Sequence, residues 1–198
     1  MINRSFAVLL TVFSILADDP SKKAGLIPLS VGNYWLIEQK TYEDDDNTAK
    51  IDTLKLSITA SVNDPSEKLF YYTWEEINWI SDLVANKPDG LYLFGQASLT
   101  NINLYTSPYL WLKYPCDIGE KFYDPQNDIE YTVTDKLNIE VPAGSFDCIE
   151  YSSKNKINNT EMKLYFSPGI GYIKGIWPTK KMEQSLIKAV IIDENNNQ

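Results

Sequence analysis

The chain has 198 residues, with 27 acidic and 18 basic side chains, no histidine, two cysteines and a net charge of −9. A domain of this length buries enough apolar surface to fold without a metal or a dense disulfide framework. The missing histidine excludes a Ser-His-Asp triad, a Cys-His pair and the commonest zinc ligand, and the acidity, with Arg4 the sole arginine beside 17 lysines, argues against nucleic-acid binding through phosphates.

Residues 6–17 read F-A-V-L-L-T-V-F-S-I-L-A behind Arg4. That uncharged run falls short of the roughly 20 residues that span a bilayer and matches the apolar region of a secretory signal. Ala17 suits the position before cleavage. The chain is therefore read as a signal peptide over 1–17, a short linker over 18–27, a single β domain over 28–193 and a disordered tail over 194–198. A lipoprotein would carry cysteine directly after Leu16-Ala17; Asp18 stands there, so no lipid anchor is encoded. The expected location is exported: periplasm, outer cell surface or extracellular space. No later segment is long and apolar enough for a transmembrane helix.

Past residue 28 the dominant period is two. Residues 34–37 and 69–74 are apolar on both sides and read as central strands covered on both faces. Leu54, Leu56, Ile58, Ala60 and Val62 alternate with polar residues, giving one dry face and one wet face. The run 43–47, E-D-D-D-N, reads as a charged hairpin tip. Residues 104–114 are dense in aromatics, and Pro108 argues against a central strand; they read as a lid or rim over a cavity, or as a plug for one end of the core. Alternation returns at Ile129, Tyr131 and Val133, at Leu137, Ile139 and Val141, and at Met162, Leu164 and Phe166, and 186–192 is nearly all apolar. Turn signals separate these runs at Asn63-Asp64-Pro65, Pro88-Asp89-Gly90, Asp124-Pro125, Pro142-Ala143-Gly144 and Pro168-Gly169. About ten strands, joined mostly as sequential hairpins, predict an all-β sandwich or barrel.

The aromatic middle third offers Trp74, Trp79, Tyr109 and Trp111 as candidate ligand-binding residues; the competing reading is that they fill a β core. Asp44-Asp45-Asp46 and the acids of 124–130 do not follow calcium-loop spacing and read as solvated loops, so no metal site and no cofactor is expected. Glu75-Glu76 lies beside Trp74 and Trp79, which raises glycoside hydrolysis. Adjacent residues on a strand point to opposite faces, however, and cannot form the pair of carboxyls roughly 5–9 Å apart that the reaction needs. No catalytic residue is assigned. For Cys116 and Cys148, one disulfide closing a loop of about 30 residues is one alternative, and two buried free thiols is the other.

Three motifs in order carry a resemblance: Pro28-Leu29-Ser30-Val31-Gly32-Asn33-Tyr34-Trp35, then Val141-Pro142-Ala143-Gly144-Ser145-Phe146, then Ser167-Pro168-Gly169-Ile170-Gly171. The chain resembles a group of uncharacterised secreted or lipid-anchored bacterial envelope proteins with P-L-x-x-G-x-x-W, V-P-A-G-x-F and S-P-G-x-G landmarks. The resemblance implies an all-β fold, a single antiparallel sheet of about ten strands curled into a half-barrel or barrel, and no established activity. The absent lipobox cysteine sets this chain apart from the anchored members.

The expected function is that of an exported cell-envelope protein, a non-enzymatic module that binds a protein or an apolar small molecule. A carrier or sensor of a lipid or other apolar ligand in the concave face of the sheet is the second expectation, and a carboxylate-dependent glycan hydrolase the third. A dry, wide concave face favours the carrier, two acids across a cleft favour the hydrolase, and a filled core with an outer aromatic patch favours the interaction module.

Overall fold

Buried backbone groups must find hydrogen-bond partners, and in this chain they find them across one continuous sheet. The computed structural model describes residues 25–43, 48–64, 69–75, 80–98, 101–155, 157 and 159–192. The signal segment, the acidic residues 44–47, Trp79 and the tail 194–198 lie outside the described residues.

Six strands make up the first half: β1 (Tyr34–Tyr42), β2 (Ala49–Asp64), β3 (Leu69–Glu75), β4 (Ile80–Lys87), β5 (Gly90–Ser98) and β6 (Ile102–Lys113). Six more make up the second: β7 (Lys121–Asp124), β8 (Ile129–Val141), β9 (Gly144–Asn155), β10 (Glu161–Ser167), β11 (Gly171–Trp177) and β12 (Met182–Val190). The bonded order is β6-β5-β4-β3-β2-β1-β12-β11-β10-β9-β8-β7. Each half is a meander of sequential antiparallel neighbours, and the antiparallel pairing of β1 with β12 joins them. The sheet is nearly closed into a barrel, with β6 and β7 as its facing edges. At that seam the Tyr151 hydroxyl of β9 donates to the Lys113 carbonyl at 2.8 Å, and the Lys113 ammonium lies 3.3 Å from the Glu120 carboxylate. No α-helix occurs among the described residues, and no helix there is long and apolar enough to cross a membrane.

The strand count exceeds the sequence reading for local reasons. β7 has four residues, too few for a period to show. The runs at 129–133 and 137–141 form one strand, β8, whose pairing with β9 shifts register between Val133 and Asp135. The aromatic stretch 104–114 lies largely within β6, and Pro108 is tolerated because β6 is an edge strand.

Inside the barrel, alternation collects Trp35, Ile37, Leu56, Ile58, Tyr72, Val84, Leu91, Val133, Tyr151, Phe166 and Leu186 into one core. Outside, Thr134, Lys136, Asn138 and Glu140 of β8 are exposed. This polarity is the reverse of a transmembrane barrel, which is apolar outside and polar within. The segment 34–37 is also one-sided. Trp35 and Ile37 are buried, while Tyr34 and Leu36 are half-buried on the other face. There the Lys55 and Lys188 ammonium groups sit 4.9 and 5.9 Å from the Tyr34 ring centre. Lysine stems laid along an aromatic make a second protein layer unnecessary.

One barrel end is covered by the chain that enters β1. Leu26, Ile27 and Leu29 are buried in the core, so the last part of the expected linker is packed. The Asn86 side-chain amide, at the end of β4, donates to the Ile27 carbonyl at 3.0 Å. Asn33 is fully buried and fixes the same corner: its amide donates to the Pro28 carbonyl at 2.9 Å and its Oδ1 accepts from the Ile192 N–H at 2.7 Å. The β8–β9 turn joins the cover through the Ala143 N–H, which donates to the Leu186 carbonyl at 3.1 Å.

Candidate functional site

The inward faces of the strands do not fill the barrel. A cavity of about 200 Å³ remains between them. Its walls are largely aromatic: Trp74 of β3, Trp111 of β6, Tyr131 of β8, Phe166 of β10, and Tyr172 and Trp177 of β11. Leu56, Met162 and Leu164 supply aliphatic surface, and Asp82 of β4 and Gln184 of β12 are the polar members.

Ring packing fixes these walls. Trp74 tilts against Trp35 at 5.1 Å between centres and meets Trp111 edge-on at 6.2 Å. Phe166 meets Tyr172 edge-on at 5.5 Å. Such tilted and edge contacts suit the ring quadrupoles and hold the faces in one geometry. The Tyr172 hydroxyl donates to Gln184 Oε1 at 2.7 Å, and Gln184 Nε2 donates to Gln39 Oε1 at 2.8 Å. This relay places a phenol and an amide in the wall with their hydrogen bonds met. Space for the Tyr172 and Trp177 side chains comes from Gly175, where a Cβ would overlap the Tyr172 hydroxyl and the Trp177 indole.

Among the described residues Asp82 is the one charged side chain in the cavity wall. Gln96 Nε2 donates to its Oδ1 at 3.3 Å. Burial pushes the carboxyl above the usual carboxylate range, and the Gln96 hydrogen bond draws it partly back. Burial likewise raises the Tyr131 phenol, with the Asp124 charge adding to it and a hydrogen bond from Trp111 offsetting part. The Tyr131 phenol thus stays neutral at physiological pH.

Of the residues expected to bind ligand, Trp74 and Trp111 line the cavity. Tyr109 does not; it is half-buried on β6 and stacks on Tyr105 at 5.8 Å between centres. Trp79 lies outside the described residues. The sequence reading missed Asp82, Tyr131, Phe166, Tyr172, Trp177 and Gln184. The alternation at Tyr131 and Phe166 marks them as inward, but which inward residues leave space depends on closure of the sheet. Among the described residues the cavity wall holds one carboxylate, where a glycosidase cleft needs two.

At the barrel end away from residues 25–29, Ile129, Ser153, Asn155, Thr160, Glu161 and Lys180 line a second depression of about 210 Å³. Met162 and Trp177 belong to both spaces and stand between them. The acids of 124–130 are spent on their own turn: buried Asp124 accepts from the Gln126 and Asn127 N–H groups at 2.9 and 3.2 Å. No metal-holding cluster of acids and cysteines occurs among the described residues. Cys116 and Cys148 are both buried, each as a free thiol. The Cys116 sulfur lies 3.7 Å from the Tyr151 hydroxyl, and the Cys148 thiol donates to the Phe146 carbonyl at 3.4 Å. Burial, with the Asp147 charge, pushes the Cys148 thiol up to about 12, and burial also raises Cys116. Neither is poised as a nucleophile.

The fold and cavity define a nearly closed up-and-down barrel with a small aromatic interior space. No protein-family model matches the chain, and no curated protein does. Two solved structures are similar in fold. One is a candidate exported protein with a YmcC-like fold from Bacteroides fragilis, 13% identical, with 84% of this chain and 99% of that chain covered and a TM-score of 0.42. The other is a candidate lipoprotein from Parabacteroides distasonis, 14% identical, with the same coverage and a TM-score of 0.41.

Proposed function

We propose that this is an exported, non-enzymatic envelope protein whose barrel binds a small ligand in its interior cavity. The observation that carries the reading is the wall itself: six aromatic side chains converge on unfilled space around a few polar atoms, the usual composition of a ligand site. The signal-like residues 6–17 support export. The motifs at 28–35, 141–146 and 167–171, which resemble those of bacterial envelope proteins, favour the same setting. The size of the cavity narrows the ligand. Pockets for drug-sized molecules run from about 300 Å³ upward, so this space suits a smaller molecule and is too small for a whole membrane lipid. The lone carboxylate and the unactivated thiols favour binding over hydrolysis.

Native mass spectrometry of residues 18–198, secreted by an exporting host and purified without detergent, tests the reading. The expected result is an added small-molecule mass that is lost on denaturation, with both cysteines remaining as thiols. A bare polypeptide mass, together with tryptophan emission that does not respond to a panel of small amphiphiles, would overturn it.

A further inference from the structure

We infer that the ligand is a small organic cation of the alkylammonium class, held by the Asp82 carboxylate and the aromatic faces of the barrel cavity. The inference rests on the binding reading above and adds the ligand's charge.

The argument starts from charge inside the wall. Among the described residues Asp82 is the sole charged side chain lining the cavity, and no described lysine lines it. Among the described residues Asp82 forms no ion pair, and the hydrogen bond from Gln96, a neutral donor, leaves the carboxylate uncompensated. A partly desolvated carboxylate without a counter-charge is unfavourable, and a cation placed beside it recovers the lost solvation.

The remaining surface has the matching chemistry. Indole and phenol rings carry negative faces that attract cations within about 6 Å, tryptophan most strongly. Trp74, Trp111 and Trp177 supply indoles, and Tyr131 and Tyr172 supply phenols. An anion would meet only this electron-rich surface and a carboxylate, with no lysine or arginine to hold it. An apolar molecule would gain from the rings but leave Asp82 desolvated and unpaired. An alkylammonium satisfies both, since its methyl groups are apolar and its charge is spread over them. The size agrees, since about 200 Å³ is below the drug-sized range. The net charge of −9 further concentrates cations at the molecule's surface. Met162 and Trp177 line both the cavity and the neighbouring depression, so the two spaces adjoin at these side chains.

The secreted chain is titrated with choline and with its neutral isostere 3,3-dimethylbutan-1-ol, read by tryptophan emission and calorimetry. Choline is expected to bind at least about tenfold more tightly, and in Asp82→Asn that preference is expected to collapse to within about twofold. Thermal melts of the parent and the variant separate a lost site from a lost fold. Equal binding of the two probes, or an undiminished choline preference in a folded Asp82→Asn, would overturn the cation while leaving the cavity as a binding site. Binding of neither probe would also overturn it, and the native mass spectrum then decides the cavity reading by itself.

Discussion

Glu150 shows how a charge is held inside an all-β wall. It lies on β9 and is 6% exposed. The Thr134 hydroxyl donates to its Oε1 at 2.6 Å, and the Lys163 ammonium donates to the same oxygen at 2.9 Å. Burial alone would raise this carboxyl, but the hydrogen bonds from Thr134, Lys163 and Tyr165, together with the Lys163 charge, outweigh it and hold the group below the usual range. A carboxyl lowered on folding stabilises the protein above its unfolded pKa of about 4.3, and that contribution is lost as the pH falls through the folded value. Glu150→Gln is therefore expected to cost about 1–3 kcal/mol at neutral pH. The gap to the parent should narrow in urea melts taken near about pH 3. An equal gap at both pH values would show that the charge is not what Glu150 contributes.

Among the elements, the junction between β1 and the β10–β11 turn carries two of the three sequence landmarks. Trp35 of β1 is fully buried, and its indole N–H donates to the Ile170 carbonyl in that turn at 2.7 Å. Gly171 follows with φ of +99°, and a Cβ there would sit 3.2 Å from the Trp35 ring. Left-handed backbone and close approach both require glycine. Gly171→Ala is expected to destabilise by about 1–3 kcal/mol, read as a lower thermal midpoint. An unchanged midpoint would mean that the turn does not fix Trp35. The landmarks thus describe how strands lock together, which is why they could be read in sequence while saying nothing of function. The alternation at 54–62 and 162–166 was legible for the same reason, since it is local. Asp82 and Gln184 were not: they carry no local signal, and their value as cavity residues comes from Trp74, Trp111 and Tyr172 arriving from other strands. Edge strand β6 was half legible, because Pro108 showed that it was not central but not that it was a strand.

For the whole molecule the decisive pairing is β1 with β12, running from Tyr34 opposite Val190 to Thr41 opposite Met182. It joins two meanders that otherwise touch mainly across the β6–β7 seam. Removing β12 by ending the chain at Lys181 takes Leu186 and Gln184 from the interior and opens β1 and β11 to solvent. This variant is expected to lose cooperative unfolding in circular dichroism; a retained sharp transition would mean that the halves are independent units.

That pairing also sets a clock. A ribosome makes β1 first and β12 last of the twelve strands, so Trp35, which meets Leu56 of β2 early, waits about 150 residues of synthesis for Ala189, its β12 neighbour. Until then the nascent chain has no way to shut its barrel. Under the export proposed above, that delay would keep the polypeptide pliable in transit through a narrow channel, to become rigid on the far side when its two halves can meet.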